Sequence, residues 1–526
     1  MSGQNKKKAY SSMLSKKLSR RQAISTTAKI GVAAVAGVVV GSIGGWLAGS
    51  QLVKPATVTM TQTIERTVTE TVTKREEITK TITAPATTVS TAPAKEDPYM
   101  TDPEGWFKDL KGVTIRIAEE AGRMADAIEY IKPDFEKMTG AKIEVGHFPA
   151  DTFQHEMRVE ATQRTGAWDA FETWDIGFFA GGGHVIPLDD YIKDDPYLNF
   201  DDIKDTIQYF EWKGHYYMLP YNPEVFMVYY RRDILEEHGI TRPPRTWDEW
   251  LDMIKEVHNP DKKIYGIAFT ASRFWHVVDS NFWSFLWSNG GRVINEDWEP
   301  AFNDEKGLEA LEFMIELAKY GPPGIYTYEY MDVNTAFCQG LVVFANQWTP
   351  LAFHAEDPKM SKVVGKGGAT LFPVGPHGDK PHSPAGGWGH AIFVSCDKPE
   401  KVYKFLSWIT SPTNQKRMIA YNGVLPNRAS VLKDPEIAKY AVKPFKHEWA
   451  PNGSYFECLS NAFKLGYRVV LPEISAIVQE GAAILSEALQ GKISAKEALN
   501  TWEQKVKEIL KEAGYSKATH GPYPYY

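Results

Sequence analysis

Cysteine is scarce in this chain: three in 526 residues, Cys338, Cys396 and Cys458, far apart and outside any CxxC spacing. That argues against a disulfide framework and a zinc site. Three free thiols is the plain reading, one bridge the alternative. A strong charge of one sign is also missing. The formal net charge of -7 supplies no basic field to hold a phosphate backbone, so nucleic acid is not an expected partner. The signatures of common catalysts are absent as well, with no GxSxG, HExxH, P-loop or GxGxxG. No catalytic residue, cofactor or metal is therefore assigned. Gly181-Gly182-Gly183 lacks dinucleotide spacing and suits close helix packing, and His147, His155 and His184 lack metal-ligand spacing and read as surface residues. Asp189-Asp190 and Asp194-Asp195 flank a turn in which Asp satisfies backbone amides, with a glycosidase pair as the alternative.

Aromatic residues, by contrast, are abundant: 13% of the chain, including 16 Trp and 25 Tyr, more than a core of this size requires. Some of those rings are expected to face a ligand. The length suits two lobes plus accessory segments.

The first hundred residues differ from the rest. Residues 1–29 carry Lys6, Lys7, Lys8, Lys16, Lys17, Arg20, Arg21 and Lys29 with no acid, a basic cytoplasmic segment by the positive-inside rule. Residues 30–53 are uncharged, and 30–50 read as a transmembrane or signal helix. Ser19-Arg20-Arg21 resembles a twin-arginine export motif. Leu47-Ala48-Gly49-Ser50 has Ser where a lipobox requires Cys, which rules out a lipid there and leaves cleavage near Ser50 as the alternative to a retained anchor. Residues 51–97 alternate Thr with Val, Ile, charge and Pro, and read as a hydroxyl-rich stalk that cannot bury enough surface to fold alone. Their period of two would also suit a strand, but no partner for one is evident.

From residue 98 to 526 strands and helices alternate. Val113-Thr114-Ile115-Arg116-Ile117 has strand period. Ile128, Ile131, Phe135 and Met138 follow at helical spacing, Gly140 is a C-cap, and Ile143-Glu144-Val145 is a second strand. Thr246 and Glu249 have capping-box spacing before a helix carrying Trp247, Trp250, Leu251, Ile254 and Val257. Two more amphipathic helices carry Val402, Phe405, Leu406 and Ile409, and Trp502, Val506, Ile509 and Leu510. Such alternation predicts an α/β fold with mainly parallel sheets and a ligand at strand C-terminal ends.

An ordered set of motifs then narrows the class. Trp174-Asp175-Ile176-Gly177-Phe178-Phe179-Ala180 with Pro187-Leu188-Asp189-Asp190-Tyr191-Ile192 resembles a segment of the extracellular solute-binding proteins of family 1. These are the sugar receptors of ABC importers, related to maltodextrin-binding proteins. Leu219-Pro220-Tyr221-Asn222, Tyr229-Tyr230-Arg231-Arg232-Asp233, Pro243-Pro244-Arg245-Thr246-Trp247-Asp248-Glu249, Ser288-Asn289-Gly290-Gly291, Ala336-Phe337-Cys338-Gln339-Gly340 and Tyr421-Asn422-Gly423-Val424-Leu425-Pro426-Asn427 are similar to further segments, in the right order from about 110 to 435. The resemblance implies a type II periplasmic-binding fold over 98–526, with two lobes joined by crossings near 222–230 and 385–393 and closing on a ligand like a clamp. It implies an extracytoplasmic receptor at the cell membrane, a monomeric ectodomain that passes a sugar or oligosaccharide to ABC permease subunits.

The residues fit a carbohydrate, whose C–H faces stack on rings and whose hydroxyls need polar partners. The ligand-binding candidates are Trp174, Asp175, Tyr221, Asn222, Glu224, Trp275, Asp279, Trp283, Trp348, Trp388 and Arg428. Gly386 and Gly387 are read as letting ligand approach the backbone beside Trp388. Each candidate has a structural alternative: a core position for a Trp, a helix cap for Asp175, a pair with Arg231 or Arg232 for Glu224. Rival functions are a same-fold receptor for a polyol phosphate, peptide or metal ion, a carbohydrate-active hydrolase, and a passive adhesion protein.

Overall fold

The computed structural model describes residues 58–66, 74–82, 96–150, 152–466 and 468–520. The chain divides into two units, one ending at Pro93 and one beginning at Ala94. In the first, strands β1 (Val58–Arg66) and β2 (Lys74–Ile82) pair antiparallel, from Val58 opposite Ile82 to Arg66 opposite Lys74. The alternation expected to lie unpaired in a stalk thus finds a partner in its own repeat. The basic segment 1–29 and the uncharged segment 30–50 lie outside the described residues. Among the described residues no helix is long and apolar enough to cross a membrane.

The second unit holds eleven further strands: β3 (Thr114–Glu120), β4 (Lys142–Phe148), β5 (Ala170–Thr173), β6 (Glu211–Trp212), β7 (His215–Tyr216), β8 (Leu219–Asn222), β9 (Phe226–Arg231), β10 (Tyr265–Ala268), β11 (Val342–Trp348), β12 (Gly367–Thr370) and β13 (Trp388–Ile392). Apart from the short β6–β7 hairpin, they form two sheets, one in each lobe. The first has the order β4-β3-β5-β13-β8 and the second β10-β11-β9-β12. The ladders β3–β4, β3–β5 and β10–β11 are parallel, as strand–helix–strand units require. The strands next to the crossings, β13 and β9, run antiparallel to their neighbours, so both sheets are mixed. The fold is the expected two-lobed α/β architecture.

Local signals explain the elements. Helix Arg123–Thr139 buries Ile128, Ile131 and Phe135 and ends at Gly140, whose φ of 73° suits the left-handed cap. Thr246 caps helix Trp247–Val257 by accepting from the Glu249 N–H at 3.3 Å. Glu249 does not close the box. Its carboxylate goes to the Arg242 guanidinium and the Arg245 N–H instead, because a charged partner outcompetes a backbone amide.

The chain leaves the first lobe between Asn222 and Phe226 and returns between β12 and β13, and these passages lie side by side. Glu224 and Gly386 exchange backbone hydrogen bonds, and Phe226 donates to Pro384 O at 2.9 Å. A side chain at Gly387 would lie 2.4 Å from both Asn222 O and Glu224 N, so glycine is required there by the neighbouring crossing. Gly386 and Gly387 also line the cavity described below, the position that the expected approach of a ligand to the backbone requires.

Candidate functional site

A cavity of about 820 Å³ lies between the two sheets, within the range of small-molecule pockets. Strands β3, β5, β10 and β11 all send their C-terminal ends to it, through Glu120, Trp174, residues 274–276 and 279, and Trp348. The crossings contribute Glu224 and residues 384–388, and a late segment adds residues 468–471, 474, 475 and 478.

Charge dominates the first-lobe wall. Asp175 has a fully buried side chain. One oxygen takes the Arg158 guanidinium and the other caps helix Ile176–Gly181 by accepting the Phe178 N–H at 3.1 Å. Burial raises its pKa, and Arg158 opposes that shift. Glu224 is likewise raised by burial, against the pull of Arg123 at 3.6 Å and the Asn222 amide, which donates to Oε1 at 2.6 Å. Beneath this wall the Glu120 N–H donates to Glu172 Oε1 at 2.7 Å, and Glu172 shares a hydrogen bond with Glu119, itself 2.8 Å from His390 Nε2.

The second-lobe wall is aromatic. Six of the sixteen tryptophans line the cavity, and Trp275, Trp283, Trp287 and Trp348 belong to this lobe. A π-helical turn, Val278–Phe282, carries Asp279 and Ser280. Trp348 Nε1 donates to Ser280 Oγ at 3.0 Å, Ser280 donates to Asp279 at 2.6 Å, and His276 Nδ1 lies 3.0 Å from the same carboxylate. Across the cavity Trp174 meets Trp275 edge to face, with centroids 5.4 Å apart at 78°. Among the described residues the buried Nε1 atoms of Trp275 and Trp283 and Nε2 of Gln154 have no hydrogen-bond partner, although all three residues line the cavity.

Residues 118–416, more than half of the chain, match the family described as bacterial extracellular solute-binding protein. The chain belongs to that family. Among relatives, the mannitol-binding protein of Pseudomonas aeruginosa is 27% identical over 318 residues, 58% of this chain and 72% of that one. The maltotriose-binding protein of Pyrococcus abyssi is 27% identical over 332 residues, 61% of this chain and 64% of that one. An ABC transporter solute-binding protein from Agrobacterium radiobacter K84, solved with ribitol, superposes with a TM-score of 0.67 at 25% identity, covering 76% of this chain and all of that one. The fold is therefore the type II periplasmic-binding fold, and the family's place is extracellular.

In this solute-binding protein, Trp174, Asp175, Glu224, Trp275, Asp279, Trp283, Trp348 and Trp388 all line the cavity. Three candidates do not. Tyr221 is buried in β8, its hydroxyl donating to Met124 O at 2.6 Å and its ring set against His390, because all four residues of that strand are covered. Asn222 is fully buried and orients Glu224 while accepting the Leu425 N–H at 2.8 Å. Arg428 is held inside the first lobe by Thr410 O at 2.6 Å, Asp202 and the Tyr99 ring, so its charge is already satisfied far from any ligand. The alternative pairing of Glu224 with Arg231 or Arg232 gives way to Arg123, since Arg231 is engaged by Asp233.

Sequence reasoning missed Glu120, Arg123, Gln154, His276, Tyr330, His354 and Arg468, which also line the cavity. Glu120 and Arg123 were findable, as they stand where β3 gives way to a helix through Ala121 and Gly122. Arg468 had no motif to mark it. Two carboxylate clusters among the described residues have ligand atoms close enough to hold a cation: Asp169, Cys396 and Asp397, and Glu305, Glu309 and His377. Neither is on the cavity, and Asp169 is already paired with Lys398 at 2.7 Å. All three cysteines are free thiols.

Proposed function

We propose that this solute-binding protein captures a sugar or polyol in the interlobe cavity, closes on it about the paired crossings, and delivers it to an ABC permease without chemical turnover. The observation that carries this reading is the set of unpartnered donors, Trp275 Nε1, Trp283 Nε1 and Gln154 Nε2, set among indole faces. Buried N–H groups need acceptors, and a polyhydroxylated ligand offers many of them beside C–H faces suited to stacking. The carboxylates Glu120, Glu224 and Asp279 would accept from its hydroxyls. The mannitol- and maltotriose-binding relatives and the ribitol-bound structure support the same class. Calorimetry and thermal shift with mannitol, ribitol, maltotriose and a peptide mixture test it. Stabilisation by at least one carbohydrate is expected. Stabilisation by peptides alone, or hydrolysis of a labelled oligosaccharide, would sink it.

The N-terminal assignments complete the reading. Residues 30–50 would remain as a membrane anchor and 51–97 would hold a monomeric binding unit away from the surface. The uncharged run, the basic flank and the missing lipobox Cys support this. Intact mass of the protein extracted from membranes decides the matter: a mass beginning near Ser50 would replace the anchor with a cleaved signal.

A further inference from the structure

Charge is unevenly matched around the cavity. At the crossing end Glu224 has Arg123, and on the second lobe Asp279 has His276. Near Trp174, among the described residues, two guanidiniums face one carboxylate. Asp175 spends one oxygen on Arg158 and the other on the Phe178 N–H. Arg468 arrives on the same wall from the late segment, where NH1 donates to Tyr209 O at 3.1 Å and the guanidinium lies 5.7 Å above the Phe210 ring. It stands over Gly386, where a Cβ would come within 3.1 Å of NH1, so no side chain covers it on that side. Burial lowers its pKa only to about 10, so it stays charged at neutral pH, and Asp175 is the acid whose field reaches it.

A second feature points the same way. Ile474 and Ser475, in the first turn of the sixteen-residue helix Ile474–Leu489, line the cavity beside Arg468. That turn holds no acid, and the N-cap residue Glu473 makes no side-chain cap bond. Its carboxylate instead accepts the Tyr515 hydroxyl at 2.9 Å. The Ile474 N–H donates to Leu471 O and the Ala476 N–H to Glu473 O, so the Ser475 N–H is the amide this turn offers, and a helix N-terminus favours a negative group.

We infer that the ligand is an acidic carbohydrate whose carboxylate or phosphate sits against Arg468 and the first turn of helix Ile474–Leu489. This rests on the carbohydrate reading above. The residues that build the subsite lie beyond 416, where the family match ends, so no family motif supplies them.

Calorimetry on the purified full chain tests the inference with four sets of probes: galacturonate and glucuronate with their short oligomers, glucose 1-phosphate, the neutral sugars galactose, glucose and maltotriose, and citrate. An acidic sugar is expected to bind at least about 30-fold more tightly than its neutral counterpart, the gap of one charge-assisted contact. The uronate and phosphate arms show which acid is preferred. Arg468→Gln should erase the gap and Arg468→Lys keep most of it. Ser475→Asp places a charge that suits the helix end, so folding is spared, and should weaken acidic probes at least about 10-fold more than neutral ones. Neutral sugars binding as tightly as acidic ones, equal loss for both classes in Arg468→Gln, or no binding of any acid would overturn the inference. Binding of citrate with no sugar of either class would instead overturn the carbohydrate reading and leave the acid subsite standing.

Discussion

The two walls of the cavity are made differently. On the first lobe two of the carboxylates that line the cavity are also structural groups: Asp175 caps a helix and pairs with Arg158, and Glu224 is fixed by Asn222 and Arg123. On the second lobe the indoles of Trp275 and Trp283 line the cavity, and their buried Nε1 atoms have no partner among the described residues. One wall is oriented by folding, and its groups are held whether or not ligand is present. The other offers mainly aromatic surface. Changes on the first wall should therefore cost stability, and changes on the second should mainly cost affinity.

The largest effect is expected from Asp175→Ala, which leaves Arg158 without its partner and a helix without its cap. It should lower unfolding stability by about 3–5 kcal/mol. A denaturant midpoint equal to wild type would erase the distinction between the walls. Trp275→Ala should weaken binding of whichever of mannitol, ribitol or maltotriose is taken by about 2 kcal/mol, roughly 30-fold, with a much smaller change in the midpoint. Calorimetry and a denaturant titration on the same sample separate the two.

A third test asks how deep the polar wall goes. Glu119 and Glu172 are fully buried, and burial raises both carboxyls well above the ordinary range. A raised carboxyl stabilises the fold below its unfolded value, about 4.3, and loses that contribution as pH climbs through the native value. His390, pushed down to about 3 by burial, works in the opposite sense: its contribution is full above about 6.5 and is lost as pH falls toward 3. Glu119→Gln removes one titrating acid while keeping the shape. It should gain stability on wild type as pH rises from 5 to 8. Parallel midpoints across that range would show that this layer does not titrate with folding. The smallest effect is the control: Thr246→Ala, away from both walls, should cost about 0.5–1 kcal/mol through its lost cap and leave affinity unchanged.

Local signals made much of this legible. The strand at Val113, the helix ending at Gly140 and the ordered motifs carried the fold, because each is a short-range pattern with one physical meaning. Trp174 and Asp175 were legible because a strand end followed by a helix cap is visible in sequence. The choice between Arg428 and Arg468 was not. Both are arginines in loops, and what separates them among the described residues is that Asp202 and Thr410 O reach one while Tyr209 O bonds the other. Those neighbours stand far away along the chain. The fate of Glu249 was hidden for the same reason in miniature, since a nearby guanidinium claimed a carboxylate whose spacing suited a capping box. The pairing of β1 with β2 was in plain view as a repeated alternation, yet a Thr-rich composition argued against it.

The contact between Trp174 and Trp275 has an optical consequence. One indole follows a strand of the first lobe and the other a strand of the second, and they touch at 5.4 Å, nearly perpendicular. Two chromophores so close share their electronic transitions, and the coupling depends steeply on distance and angle. The near-ultraviolet circular dichroism of the unlabelled protein should then contain a couplet from this pair. It would fade as the lobes part and return as they meet.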